Sequence, residues 1–189
     1  MTEQAQAIGP LPPLSADARR MYRGGIWFVI MAETMIFVTV FSTRFLLAGT
    51  ERVLEPSDPV GVLISLALII SLIPAWLAKR TIAAGDAPAM ARHLLITAAL
   101  GAVALVVIVY DWVTLAFPVG SPFGENYVIS TGYHAVHILI GAIWLFAAAI
   151  AGGKGVYTRD NHWVVDGGVL FWTFIVLMWV LLYVIFFVV

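Results

Sequence analysis

Five stretches of the chain, residues 25–47, 60–78, 94–117, 129–151 and 164–189, are almost bare of charge. Each is about 20 residues or longer, the length an α-helix needs to cross a hydrocarbon core of about 30 Å. In lipid every backbone N–H and C=O must find its partner inside the protein, so such stretches fold as helices. The expectation is an all-α integral membrane bundle of five transmembrane helices. Composition agrees, since 62% of the 189 residues are hydrophobic and 11% charged, more apolar surface than a soluble domain can hide. Cysteine is absent, which excludes disulfides, thiolate metal sites and cysteine nucleophiles. No nucleic acid partner is expected.

Lysine and arginine set the orientation. Arg19, Arg20 and Arg23 precede the first span, Lys79, Arg80 and Arg92 lie between the second and third, and Lys154 and Arg159 lie between the fourth and fifth. Those eight share one side, against Arg44 and Arg52 on the other. The positive-inside rule then places the N-terminus in the cytoplasm and the C-terminus outside. Residues 1–23, polar and proline-bearing, are expected to form a flexible cytoplasmic tail and not a cleaved signal peptide. Residues 24–189 form the transmembrane domain.

The fourth span carries two histidines in YVISTGYHAVHILIGAIWLF, residues 127–146. At 100° per residue His134, His137, Gly141 and Trp144 share a stripe, with Leu139, Ile143 and Phe146 opposite. An ionisable side chain at membrane depth normally faces a partner rather than lipid. Glu33 and His137 each lie about eight residues from opposite faces, so both sit about 12 Å deep and can meet. Asp111 and His134 lie about six and five residues from the outer side and can also meet. The alternatives are a protonated Glu33 bonded to a backbone carbonyl and an Asp111 hydrated at the interface. His162 and Asp166, four residues apart at the start of the fifth span, read as local capping. The tryptophans read as interface anchors and packing.

A b-heme held by two helices needs axial histidines at one depth in the core. His134 and His137 lie on one helix, while His93 and His162 share only the cytoplasmic edge. A zinc or copper site would have to recruit carboxylates. A b-heme anchor and a small proton or solute carrier built on Glu33 remain the readings of other classes.

Three blocks carry a family resemblance. GIWFVIMAETMIFVTVF has an aromatic start, a central glutamate at Glu33 and a phenylalanine four residues on at Phe37. The run from Leu95 ends in Tyr110, Asp111 and Trp112, and STGYHAVHILIGAIWL places Thr131, Gly132, Tyr133, His134, His137 and Gly141 in a threonine-glycine-aromatic-His-x-x-His-x-x-x-Gly pattern. Together they span most of residues 24–150 and resemble subunit III of the heme-copper terminal oxidases, the cytochrome c and quinol oxidase group. The longer members have seven spans, and this chain is similar to the five-span form of some bacterial oxidases. It departs at Asp111, where glutamate is commoner, and at Asn161-His162-Trp163, where the family usually has Trp-His-Phe.

The resemblance implies an accessory, non-catalytic subunit in a bacterial cytoplasmic (inner) membrane. It would pack on catalytic subunit I and subunit II, which carry the heme and copper, hold phospholipid, and support proton uptake. This chain would bind no cofactor of its own, and the complex would be an oxygen-reducing, proton-pumping oxidoreductase of aerobic respiration. Glu33, Asp111, His134 and His137 would form a structural polar network, in contact with lipid or buffering protons, with His162 and Asp166 as lesser members. A homologous subunit associated with nitric oxide reductases carries the same signatures.

Overall fold

The computed structural model describes residues 9–49 and 58–188. It contains α1 (Ala16–Ala48), α2 (Asp58–Ala83), α3 (Ala87–Val113), α4 (Pro122–Gly153) and α5 (Trp163–Tyr183), which runs on into a π-helical turn over Val184–Val188. All five helices are long and apolar enough to cross a membrane, and the described residues contain no strand.

Most of the helices start well before the spans read from hydropathy. The cause is local hydrogen bonding, which continues a helix past the point where lipid ends. Ser15 caps α1 by accepting from the Ala18 N–H, Asp86 caps α3 through Ala89, and Ser121 caps α4 through Gly124, with Pro122 preset for the first turn. At 1.5 Å per residue the 33 residues of α1 extend about 50 Å, so its first turns stand outside a core of about 30 Å. The tail expected over residues 1–23 is therefore corrected from Ala16 onward, which is helical. Residues 9–15 lie against the α4–α5 turn, where the Leu11 N–H donates to Val156 O at 2.9 Å and the Asn161 amide donates to Pro12 O. Residues 1–8 fall outside the described residues. The third span ends at Val113 instead of 117, with Thr114 as its C-cap and the last N–H to bond back into the helix, at Tyr110 O and Asp111 O. Gly85, with φ +89°, closes the three-residue turn between α2 and α3, a conformation costly for any residue with a Cβ.

Contacts at the two ends establish an up-and-down bundle. At one end Tyr22 of α1 stacks on Trp163 of α5 at 4.2 Å, and Lys79 of α2 lies 3.3 Å from Asp166 of α5. At the other, Arg44 of α1 covers the Phe123 ring of α4 at 4.9 Å, and Tyr127 meets Phe186 at 5.4 Å. So α1, α3 and α5 run one way and α2 and α4 the other. The eight cations named above collect at the first, basic end.

The centre belongs to α5. Trp172 and Trp179 are fully buried and donate to Ser71 and Ser65 of α2, each at 2.8 Å. Trp172 fits because α3 and α4 present glycines to it. A Cβ on Gly101 would come within 2.4 Å of the indole, and one on Gly141 within 2.9 Å of it and 2.7 Å of Ile175. Trp112 bonds Thr131 at 2.9 Å and Trp144 bonds Val164 O at 3.2 Å, so these indoles join helices as well as fill space. By contrast α1 leaves a long face open, with Phe28, Met31 and Met35 exposed.

Candidate functional site

Midway along α1, Glu33 faces α4, where Tyr133 and His137 are a helical turn apart. The Tyr133 hydroxyl donates to Glu33 Oε2 at 2.6 Å, and His137 Nε2 lies 3.1 Å from the same oxygen. His137 Nδ1 is 2.8 Å from Tyr133 O. A carbonyl only accepts, so Nδ1 carries a hydrogen, and Nε2 of the neutral ring is left as an acceptor. The Nε2–Oε2 contact therefore needs one further proton, held either by the carboxyl or by the ring. In both forms the pair carries no net charge, which is the condition that makes a carboxylate tolerable at membrane depth. Phe37 closes the site from one side, 4.8 Å from Tyr133 and 5.0 Å from His137. The His137 side chain is 7% exposed and that of Glu33 27%, so the carboxyl sits at the wall of the bundle beside the open face of α1.

Asp111 and His134 do not pair. Asp111 is 3% exposed and accepts from the Tyr127 hydroxyl at 2.6 Å, so it is buried and not hydrated at an interface. The miscount lies in the origin of α4. Starting at Pro122, the helix carries Tyr127 about 8 Å from its first residue and His134 about 18 Å, so Tyr127 is level with the end of α3. His134 is fully buried near Phe37 (6.0 Å) and Trp179 (5.4 Å), and neither ring nitrogen has a hydrogen-bond partner.

His162 stands at the N-cap of α5, with Nδ1 3.1 Å from Thr158 O and Nε2 3.7 Å from Asp166. Asp166 also faces Lys79 from α2 at 3.3 Å, an ion pair across helices without hydrogen-bond alignment. Around it the ends of α1, α2 and α5 enclose a groove of about 350 Å³ lined by Arg19, Arg23 and Lys79 with Tyr22, Trp76 and Trp163. Among the described residues no three histidine, aspartate or glutamate side chains converge on one point.

Sequence reasoning did not pair Tyr133 with Glu33, Tyr127 with Asp111 or Lys79 with Asp166. Tyrosine four residues before His137 was the available signal, because that spacing stacks two side chains on one helical face. Lys79 shares the basic end with Asp166, and that was its signal.

Comparison with known proteins extends these observations. A family model described as cytochrome c oxidase subunit III matches residues 15–189. The chain is 26% identical over 166 residues to cytochrome c oxidase subunit 3 of Thermostichus vulcanus, covering 84% of this chain and 83% of that protein. It is 25% identical over 174 residues to the protein of the same name from Loxodonta africana, covering 85% and 67%. It is 27% identical over 179 residues to that of Neurospora crassa, covering 85% and 64%. With its five spans and a match running from the first helix to the last residue, the chain belongs to the cytochrome c oxidase subunit III family.

Proposed function

We propose that the chain is a non-catalytic accessory subunit of a bacterial terminal oxidase, stabilising the catalytic subunit, binding phospholipid and supporting proton uptake. As an oxidase subunit III it works within a membrane-embedded oxidoreductase complex. The finer reading puts its basic end in the cytoplasm, the heme and copper in subunits I and II, and the complex in the inner membrane. The observation that carries it is the Glu33–Tyr133–His137 arrangement within the family match, because these groups satisfy one another and leave a rigid bundle. Two features support the remaining roles. The groove at the basic end combines cations and aromatic rings suited to a lipid headgroup. The open face of α1 offers apolar surface to a partner or to lipid.

The test is affinity purification of this chain from its native membrane in mild detergent, with an optical spectrum and subunit identification. The expected result is a larger heme- and copper-bearing partner that keeps the heme signal when this chain is stripped away. A heme band that remains with the isolated chain would overturn the reading in favour of a b-heme anchor.

A further inference from the structure

The groove of about 350 Å³ at the basic end is amphiphilic. Arg19 and Arg23 stand one turn apart on α1, and the same wall continues over Ile26, about 10 Å along the helix from Arg19, where Trp27 and Leu170 of α5 join it. A soluble anion needs only the cations. The apolar continuation suits an acyl chain, so the two parts together fit a phospholipid from the leaflet at this end.

The headgroup it takes is decided around Asp166, the carboxylate among the described lining residues. The ammonium of a choline or ethanolamine headgroup is recognised by a carboxylate and by the face of an aromatic ring. The groove contains both, and Lys79 has taken both. Its Nζ lies 3.3 Å from Asp166 Oδ1 and 5.5 Å from the centre of the Trp76 ring, while His162 Nε2 approaches the other Asp166 oxygen at 3.7 Å. Lys79 thus stands where the ammonium of a zwitterionic lipid would bind. Once it has matched Asp166, Arg19 and Arg23 leave the lining with a surplus of positive charge.

We propose that this groove selects a phospholipid whose headgroup carries a net negative charge, and that Lys79 sets the choice by filling the ammonium position. Arg19 and Arg23 hold the phosphate, and Ile26, Trp27 and Leu170 take the first part of an acyl chain. The inference rests on the lipid reading of the groove given above and adds the headgroup class and the residue that decides it.

Native mass spectrometry of the intact oxidase complex, exchanged in detergent with equal amounts of dioleoyl phosphatidylglycerol and dioleoyl phosphatidylethanolamine, tests it. Arg19 and Arg23 are exposed, so Arg19→Gln with Arg23→Gln leaves the bundle packed, and subtracting the lipid that this variant retains isolates the groove from sites elsewhere in the complex. The difference is expected to favour phosphatidylglycerol about fivefold. In Lys79→Met, which frees Asp166 and Trp76, that preference should vanish or reverse. Equal retention of the two lipids by the unmodified groove, or a preference unchanged in Lys79→Met, would overturn the headgroup inference and leave the lipid reading standing. An arginine variant that retains as much lipid as the unmodified complex would overturn both. Displacement of phosphatidylglycerol by added inorganic phosphate would assign the arginines to a soluble anion and overturn the proposal as well. The first comparison decides even if Lys79→Met does not assemble.

Discussion

Glu33 and Asp111 are both carboxylates inside the bundle, and α4 meets each with a tyrosine hydroxyl at 2.6 Å. They differ in enclosure and in partners. Asp111 lies in the closed seam between α3 and α4, 3% exposed, with Tyr127 as its side-chain donor. Glu33 lies at the edge of the α1–α4 seam, its side chain 27% exposed, with both Tyr133 and His137 on one oxygen. The closed site depends on a single bond. The open site has a second partner and a shared proton, so it tolerates the loss of either neighbour better.

The largest effect should come from disturbing both sites together. Gly141→Val drives a side chain into Trp172 and Ile175, and shifting α4 to relieve it moves Tyr127 and Tyr133 at once. A loss of about 3 kcal/mol, the upper part of the overpacking range, is expected in the unfolding of the purified complex. Tyr127→Phe should come next, at about 1–3 kcal/mol, because it leaves a buried carboxyl without its donor. Glu33→Gln or His137→Ala should cost about 1 kcal/mol or less, in line with polar contacts between membrane helices. Tyr133→Phe should be smallest, below about 0.6 kcal/mol, since His137 stays on Glu33. If Tyr133→Phe cost more than Tyr127→Phe in the same thermal unfolding assay, the contrast between the two sites would fail.

Much of this was legible in the sequence, and the gaps have physical causes. The spans are plain because the bilayer imposes a minimum length on apolar runs. Helix ends are not, because caps such as Ser15 and Ser121 extend a helix through residues that hydropathy counts as loop. Glu33 and His137 could be matched by depth because they were counted from opposite ends: α1 begins at Ala16 instead of 25 and α4 at Pro122 instead of 129, extensions of similar size that leave both residues near mid-helix. The same count failed for Asp111, where placing the start of α4 seven residues late brought His134 to the level that Tyr127 occupies. Tyrosine is also ambiguous in a sequence, because its ring packs and its hydroxyl bonds, and only the facing helix decides which matters. Asp166 was assigned to His162 by its spacing, but Lys79 of α2 is the nearer cation.

The central claim is that the polar groups of this chain hold a scaffold and do not carry the reaction. Oxygen consumption by the intact complex carrying Glu33→Ala and His137→Ala, followed from the first turnovers through prolonged activity, tests this most directly. The account predicts an unchanged initial rate with unchanged heme content and a faster decline as turnover continues. Immediate loss of turnover in a fully assembled complex would contradict it and place Glu33 and His137 in proton transfer itself.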